Sequence, residues 1–174
     1  NSLVFLDNNN SSYSSYIKDR NNVYFVDNKN GKVRIVKNAD KNTFQIVNGN
    51  YGVDRKNVYY DGEKLDSVGI EGLKIFDDNY LKDNKNVYYL GKQIRNISSE
   101  GFKFVGPDIA KNKNGIYFLK DKTGEGDYEI VPLNFDSASF DIANKDTSNY
   151  FKDKNGIYYL DYGKLLNSEL KDVQ

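Results

Sequence analysis

The sequence predicts an all-β protein made of tandem antiparallel β-meander repeats, and three observations support this prediction. A seven-residue phrase occurs five times, helical periodicity is almost absent, and turn residues alternate with short aromatic and aliphatic runs. The phrases begin at Asp19, Asp54, Asp83, Asn112 and Asp153. Because self-similarity of this kind is the signature of a repeat architecture, we expect most of the recurring residues to build the fold.

Each phrase reads Asp or Asn, two polar residues, Asn or Gly, Val or Ile, Tyr, and a final Tyr or Phe. Successive phrases begin 35, 29, 29 and 41 residues apart, which indicates a basic unit of about 29 residues with insertions in the first and fourth copies. We assign the 174 residues to one repeat array. Its units are 16–50, 51–79, 80–108, 109–149 and 150–174, with residues 1–15 as an N-terminal strand or cap.

The first residue of each phrase is predicted to make a turn between two short strands. Asp and Asn side chains accept hydrogen bonds from the backbone two residues on, and the Asn or Gly at position four tolerates the left-handed conformation of a tight hairpin. Asn112 stands where the other copies have Asp. A catalytic or metal-binding carboxylate would not tolerate this loss of charge, so we expect a structural turn and a nearly neutral Asp83→Asn substitution.

The strand after the turn is expected to have two different faces, because successive side chains point to opposite sides. Val or Ile and the final aromatic share one face, which we assign to the core. The middle aromatic is Tyr in all five copies: Tyr24, Tyr59, Tyr88, Tyr117 and Tyr158. These Tyr residues either form an exposed ligand-binding ladder or bond their hydroxyls to the backbone of the adjacent unit, and we favour the internal bonds.

Two arrangements of the units are open at this stage. We expect an open, elongated array in which each unit buries its apolar residues against its neighbours. The alternative is a closed, five-unit small β-propeller, in which residues 3–6 supply the strand that the last copy lacks.

The composition argues against several classes of function. Lys plus Arg and Asp plus Glu are both 25, so the net charge is zero and a nucleic-acid partner is not expected. No apolar run approaches the roughly 20 residues of a transmembrane helix. Because the chain begins at Asn1 and not at Met, we do not take the lack of a signal peptide as a sign of a cytosolic protein.

Catalysis, cofactors and metal ions are not expected either. The chain contains no Cys and no His, which removes thiolate chemistry and the usual base near neutral pH. The loop from Asp121 to Asp127 resembles the start of a calcium loop, but its twelfth position is Pro132 and no helices flank it, so we favour a hairpin tip. A remote alternative is a carboxylate-based glycoside-acting enzyme, which would need two carboxyl groups in one cleft.

The phrase Asp-Lys-Asn-x-Val-Tyr-Tyr resembles the DKNYY repeat family of bacterial proteins. A second shared element is the segment Ala39-Asp40-Lys-Asn-Thr43-Phe44. The resemblance covers residues 16–166 and implies a repeat protein without an established activity. Because members of the family are mostly inferred to be exported or surface-associated, the resemblance implies a secreted, periplasmic or cell-surface location.

These observations lead us to expect a non-catalytic surface module that binds a glycan or protein partner. The alternative is a purely architectural spacer or display repeat. A specific site should use what is particular to this chain, so we place it on the long loops 27–32 and 121–129. The expected binding residues are Tyr24, Asn28, Asn30, Tyr117, Asp121, Glu125 and Asp127.

Overall fold

The computed structural model describes residues 3–6, 14–48, 50–76, 79–106, 108–122, 128–143, 150–161 and 164–167. These residues form β-strands, turns and loops and contain no helix, which confirms the prediction of an all-β protein. Within the described ranges, twenty strands lie in five sheets of four strands each. Neighbouring strands in every sheet are consecutive in the chain and antiparallel, so each sheet is a β-meander as predicted.

The strands are named by their order in the chain. Sheet 1 contains β1 Val4–Phe5, β2 Ser14–Lys18, β3 Val23–Asp27 and β4 Lys32–Ile35. Sheet 2 contains β5 Gln45–Asn48, β6 Tyr51–Val53, β7 Val58–Tyr60 and β8 Glu63–Lys64. Sheet 3 contains β9 Lys74–Ile75, β10 Tyr80–Lys82, β11 Val87–Tyr89 and β12 Lys92–Ile94. Sheet 4 contains β13 Lys103–Gly106, β14 Ile109–Asn112, β15 Gly115–Asp121 and β16 Tyr128–Leu133. Sheet 5 contains β17 Asp141–Ile142, β18 Tyr150–Asp153, β19 Gly156–Asp161 and β20 Lys164–Asn167.

The N-terminal strand belongs to sheet 1. Val4 pairs with Lys18 and Phe5 pairs with Ile17. Sheet 5 has its own first strand, β17, which pairs with β18. The strand exchange on which the closed propeller alternative rested is therefore wrong, because the last copy does not lack a strand.

The chain divides into two compact units, Asn1–Arg95 with sheets 1–3 and Asn96–Gln174 with sheets 4 and 5. Within the first unit, consecutive sheets pack face to face. Tyr59 of sheet 2 and the preceding Phe44 share one core cluster with Tyr16 and Phe25 of sheet 1. The opposite face of sheet 2 packs on sheet 3 in a second cluster, in which Val58 meets side chains of the next meander.

A Tyr on the second strand of a sheet, which we call the leading Tyr, is hydrogen-bonded to the backbone of the next sheet. The leading Tyr is Tyr16 in sheet 1 and Tyr51 in sheet 2. The Tyr16 hydroxyl donates to the carbonyl of Asn50 at 2.9 Å and accepts from the N–H of Gly62 at 2.9 Å. The Tyr51 hydroxyl makes the same two contacts one sheet later, to Asn79 at 2.8 Å and Gly91 at 3.3 Å. The repeat is thus bonded to its neighbour by hydrogen bonds as well as by apolar contact.

The second unit uses the same packing between its two sheets. Ile109 and Ile116 of sheet 4 are buried against Phe151 of sheet 5, together with the half-buried Phe140. Gly106 lies directly under the Phe151 ring, where a Cβ atom would come within 3.1 Å of it. The anchor residues that precede each sheet, such as Phe44 and Phe140, therefore belong to the interface with the sheet before them.

The expected assignment of the two faces needs a correction. We expected the final aromatic of the phrase in the core, yet Tyr60 and Tyr89 are only half-buried. The middle residues Tyr59 and Tyr88 are fully buried, with an exposed fraction of 0%. The physical reason is that an inner sheet is covered on both sides, so the alternation of strand side chains does not separate core from solvent.

A glycine on β6 makes room for the Phe44 ring. A Cβ atom at Gly52 would overlap that ring, whereas the equivalent residue in sheet 3 is Leu81, and the smaller anchor Leu73 packs against the same core cluster. We expect Gly52→Ala to lower the free energy of unfolding by about 1–3 kcal/mol because it overpacks the core. Urea unfolding of the single variant and of the double variant Gly52→Ala/Phe44→Leu measures this coupling. The smaller anchor should reduce the cost of the alanine, and two purely additive losses would contradict the account.

Candidate functional site

The first side chain of every phrase caps its own turn. One oxygen accepts a hydrogen bond from the N–H two residues on in all five copies, at 2.7–2.8 Å. The predicted turn role of these residues is therefore confirmed. The five acceptors are Asp19, Asp54, Asp83, Asn112 and Asp153.

The second carboxylate oxygen ties the turn to the segment that precedes the sheet. Oδ2 of Asp54 accepts from the N–H of Asp40 at 3.0 Å, and Oδ2 of Asp83 accepts from the N–H of Gly69 at 2.9 Å. Both carboxylates are buried, with exposed fractions of 5% and 3%. A buried carboxylate is costly unless it is well bonded, so these contacts are a condition for its presence.

The middle Tyr completes this bonding. The Tyr59 hydroxyl lies 2.8 Å from Oδ2 of Asp54 and 3.0 Å from the carbonyl of Asn38. The Tyr88 hydroxyl lies 3.1 Å from Oδ2 of Asp83 and 2.6 Å from the carbonyl of Ser67. The favoured interpretation, internal hydroxyl bonds, is confirmed for these two residues, and they form no exposed ladder.

The fourth copy shows why one carboxylate could be replaced by an amide. Nδ2 of Asn112 donates to the carbonyl of Ser98 at 3.0 Å, where the second, third and fifth copies present a backbone N–H to a carboxylate oxygen. In this contact the side chain donates and the backbone carbonyl accepts, which is the reverse of the contacts of Asp54 and Asp83. An amide at Asp83 would instead point its NH₂ group at the N–H of Gly69. The expectation that Asp83→Asn is nearly neutral does not fit this geometry.

The hydrogen bonds also change the acidity of these groups. Burial alone would raise the pKa of Asp54, but the hydrogen bonds that it accepts outweigh burial and lower the pKa to about 2. The pKa of Asp83 is lowered in the same way. Burial raises the pKa of the Tyr59 and Tyr88 hydroxyls. The pair is therefore an ionised carboxylate beside a neutral phenol at any pH near neutrality.

A cleft of about 300 Å³ opens beside the long hairpin of the first copy. One wall is the hairpin that joins β3 to β4, and the other is the end of the β7–β8 hairpin in sheet 2. Polar and charged side chains line most of this cleft. The lining residues are Phe25, Asp27, Lys29, Asn30, Arg34, Asn50 and Asp61.

Arg34 connects the two walls of the cleft. Its guanidinium donates to the backbone carbonyl of Asp61 and lies 5.0 Å from the centre of the Phe25 ring. Nε of Arg34 is 3.4 Å from Oε1 of Glu63. Because the guanidinium covers the Phe25 ring, this ring is not a free stacking platform for a sugar.

The two carboxyl groups of the cleft differ in their partners. Asp27 accepts from both the N–H and the side-chain amide of Asn30, at 3.0 and 2.8 Å, and the Asn30 contacts hold its pKa below the usual range. Oδ1 of Asp61 is buried and has no hydrogen-bond partner among the described residues. Burial raises the pKa of Asp61, while the charge of Arg34 opposes that rise.

The expected binding residues in the first copy separate into two groups. Asn30 lines the cleft, and Asn28 is exposed on the same hairpin without lining it. Tyr24 is the register partner of Ile17 and Ile35, so it lies on the face of sheet 1 opposite to Phe25.

The expected residues of the second loop lie in the other compact unit. Tyr117 is half-buried and pairs with Ala110 and Pro132. Asp121 ends β15 and pairs with Tyr128. Glu125 and Asp127 lie outside the described residues.

Sequence reasoning missed Arg34, Asn50 and Asp61. Arg34 was hidden because its role depends on the register that sets it opposite Phe25 and on the stacking of sheet 2 beside it. Asp61 precedes Gly62, and this pair of residues predicts a tight turn but no binding role. The structure agrees with the turn, since Asp61 has a φ of 47°. A lone Arg on a strand next to a long hairpin was the one signal present in the sequence.

Two classes of site receive no support from the part of the chain that is described. It contains no group of three or more His, Cys, Asp or Glu side chains that could hold a metal ion. Among the same residues, no helix has the length and apolar character needed to cross a membrane.

The fold and its hydrogen bonds define a tandem β-meander repeat protein. In its second and third copies, the Asp that begins the phrase is hydrogen-bonded to the middle Tyr of the same phrase. A model of the DKNYY family matches residues 1–122. The chain belongs to the DKNYY family. No curated protein and no solved structure matches it.

Exchanging Asp and Asn between two copies tests the matched contacts. We expect Asp83→Asn and Asn112→Asp each to lower the free energy of unfolding by about 1–3 kcal/mol, because each leaves two donors or two acceptors facing each other. Urea unfolding followed by tyrosine fluorescence measures the loss. Asp66→Asn is the control, since its carboxylate is exposed. An Asp83→Asn variant as stable as this control would contradict the account.

The lowered acidity of Asp54 predicts a loss of stability in acid. Its pKa is about 2 in the folded protein, against about 3.9 when unfolded. The unfolded state therefore takes up this proton first, so stability is full above the unfolded pKa and falls as pH drops toward the folded value. The urea midpoint of the wild type should decrease over that range. Asp54→Asn, already less stable at neutral pH, should show a smaller decrease, and parallel curves would exclude this cause.

Proposed function

We propose that this chain is a non-catalytic, exported or cell-surface bacterial repeat module that binds a glycan or protein partner through the cleft beside hairpin 27–32. The proposed location is supported by the resemblance to the DKNYY family, whose members are mostly inferred to be exported or surface-associated. The site follows from the one cleft described above, whose hairpin wall is particular to the first copy. Tyr117 with Asp121, Glu125 and Asp127 stays a second candidate contact region.

One observation carries the binding proposal. Oδ1 of Asp61 is a buried acceptor at the cleft without a donor among the described residues. Buried polar atoms in folded proteins are nearly always paired, so an unpaired one at a cleft marks a place where a bound group supplies the missing hydrogen bond. A hydroxyl or an ammonium group of a ligand has the required donor.

The other lining residues fit a ligand that carries both donors and acceptors. Lys29 is exposed on the hairpin wall and offers an ammonium donor, and the Asn30 amide beside it also lines the cleft. A hydroxyl-rich glycan satisfies all of these groups at once. A polar protein loop with a lysine side chain satisfies them in part.

The non-catalytic assignment rests on the state of the two carboxyl groups. A glycoside-acting enzyme needs two carboxyl groups that are available to substrate. Both oxygens of Asp27 are occupied by Asn30, which makes this side chain a part of the hairpin turn. Only Asp61 keeps an oxygen without a partner within the described residues.

A purely architectural repeat is the second candidate, and the internal bonding favours it. The hydroxyls of Tyr59 and Tyr88 are hydrogen-bonded to the Asp of their own turns and to a backbone carbonyl of the preceding linker. The residues that every copy shares are thus used for stability. Under this alternative the cleft is a by-product of the longer hairpin.

A binding screen with two matched hairpin variants tests the proposal. The intact chain is applied to a glycan array and to a pull-down from bacterial surface extracts, and each bound glycan is titrated by calorimetry. Lys29→Ala removes a cleft donor, while Asn28→Ala changes an exposed neighbour that does not line the cleft. We expect at least a several-fold weaker affinity for Lys29→Ala and no change for Asn28→Ala.

Three outcomes would decide against the proposal. No bound ligand in either screen would favour the architectural repeat. Equal affinities of Lys29→Ala and wild type, and of a variant with the hairpin shortened, would move the site elsewhere on the chain. Release of new reducing ends from a bound glycan would show catalysis and overturn the non-catalytic assignment.

A further inference from the structure

The turns that begin the first two phrases belong to one continuous surface. Lys41, in the linker before sheet 2, donates from its ammonium group to the backbone carbonyl of Arg20 in the first turn. The same linker contacts the second turn, because the N–H of Arg55 donates to the Thr43 hydroxyl at 3.2 Å. Both turns therefore lie at the same end of the stacked sheets 1 and 2, with the linker between them.

This surface carries cations that have no carboxylate partner. Arg20, Arg55 and Lys56 are exposed, and none of them forms an ion pair with a described residue. Two exposed amides, those of Asn21 and Asn42, are next to these cations in the chain. We give the name basic edge to the surface of six residues: Arg20, Asn21, Lys41, Asn42, Arg55 and Lys56.

The acidic side chains of the same turns and linker are held by hydrogen bonds within the protein. Asp19 accepts from two N–H groups of its own turn, and Asp40 accepts from the Thr43 hydroxyl at 2.9 Å. Asp54 is buried. The first two phrases mix acid and base in the sequence, but in the structure their basic residues are more exposed than their carboxylates. The surface that a partner meets is therefore positive.

The second compact unit neutralises its corresponding cations. Lys113 and Lys154 occupy the second position of their phrases, as Arg55 does. Lys113 is paired with Glu100, and Lys154 is paired with Asp136 at 2.8 Å. Each of these carboxylates belongs to the linker before the same sheet. Since an exposed ion pair adds little stability, the fold does not require this pairing, and the cations of the first unit remain available for a partner.

The charge of the whole chain is divided between the two units in the same sense. Residues 1–95 contain 15 Lys and Arg against 12 Asp and Glu, whereas residues 96–174 contain 10 against 13. The neutral total thus combines a basic first unit with an acidic second unit. Such an asymmetry between the parts of a chain indicates a charged partner for one of them.

We propose that the basic edge binds an acidic polysaccharide, a linear glycan whose sugar units carry carboxylate groups. Stacked sheets lie about 10 Å apart, so one small anion does not contact both turns, whereas a chain with repeated carboxylates does. The guanidinium groups of Arg20 and Arg55 match the geometry of a carboxylate, with two parallel hydrogen bonds each.

The other residues of the basic edge favour a polysaccharide over other polyanions. The amides of Asn21 and Asn42 both donate and accept hydrogen bonds, so they are suitable partners for sugar hydroxyls. None of the six residues of the basic edge is aromatic, and the stacking platforms that bind single-stranded nucleic acid are therefore missing from it.

The basic edge is separate from the cleft beside hairpin 27–32. Strand β3 runs from the first turn to that hairpin, and its five residues Val23–Asp27 span about 15 Å. Binding at the basic edge is therefore independent of the ligand proposed for the cleft.

Calorimetric titration of the intact chain with polygalacturonate, which has a carboxylate on every sugar, tests the proposal. We expect binding that weakens at least about tenfold between about 0.05 and 0.5 M sodium chloride, because salt screens exposed charges. Monomeric galacturonate and the neutral polysaccharide dextran should not bind. Polyphosphate and single-stranded DNA, which carry charge without sugar hydroxyls along the chain, should bind several-fold more weakly than polygalacturonate.

Two double variants with the same change in net charge locate the site. Arg55→Asn/Lys56→Asn removes two cations of the basic edge, and each Asn copies the residue that another phrase has at that position. Lys113→Asn/Lys154→Asn removes two ion-paired cations of the second unit. We expect the first pair to weaken polygalacturonate binding at least about tenfold and the second by less than about twofold, because the local field of the basic edge attracts the polymer. Circular dichroism melting of both variants confirms that they are folded.

Two single variants test the extent of the site. Arg20→Asn copies the Asn84 of the third phrase and should weaken polygalacturonate binding several-fold, because the polymer then loses its contact with the first turn. Lys29→Ala alters the cleft and should leave this binding unchanged.

Each of four results would overturn the proposal. The first is the absence of polygalacturonate binding at low salt. Equal losses in the two double variants would show an effect of net charge alone. A loss in Lys29→Ala would place the polymer at the cleft. Equal or tighter binding of polyphosphate or single-stranded DNA would show that the surface does not select a polysaccharide.

Discussion

In the second to fifth copies, the first side chain of the phrase joins its own turn to the linker that precedes the sheet. In the second copy, Asp54 holds its own turn through Lys56 and Asn57, the preceding linker through Asp40, and the following strand through Tyr59. Removing a carboxylate of this kind would leave several partly buried backbone donors without this acceptor, which costs more than the net value of one hydrogen bond. The stacked sheets depend on this group because it fixes the linker that carries the anchor residue of its own sheet, which is Phe44 in the second copy.

The stacking has a direction, because the two faces of a meander are not equivalent. One face donates a Tyr hydroxyl to the next sheet, and the other accepts it through a carbonyl such as that of Asn50. The anchors then adapt the gap between sheets to the residues below: Phe44 lies over Gly52, while the equivalent pair in sheet 3 is Leu73 and Leu81. The larger anchor thus lies over the smaller strand residue, as close packing requires.

The fold was predictable from the sequence because it is written locally and repeated. The turn chemistry of Asp54 and Asp83 needs only neighbouring residues, and five copies of it specify the strand order of a meander. The faces were not predictable from alternation, since Tyr59 and Tyr60 both lie between sheets and differ only in which neighbour they meet. The effect of an Asp-to-Asn exchange was missed for a similar reason, because it depends on whether a linker N–H or carbonyl faces the side chain.

The candidate site was predictable only in part. Asn30 stood out because its hairpin is longer than the standard unit. Arg34 and Asp61 come from different sheets and meet only after those sheets stack, which no local pattern records. Sites between repeats depend on contacts of high sequence separation, and a single sequence carries little information on those.

The tie between the carboxylate or amide and its linker has a nearly constant length. It spans 14 residues in the second, third and fourth copies and 17 in the fifth. The first phrase and the second lie 35 residues apart, six more than the basic unit, and the β3–β4 hairpin absorbs added length outside the tied segment. The hairpin is therefore the part of the repeat that varies in length, whereas the segment between the linker and the turn stays nearly constant. A hairpin tip in such a chain is free to lengthen, change its charge and acquire a new specificity, while the geometry that carries it is inherited unchanged.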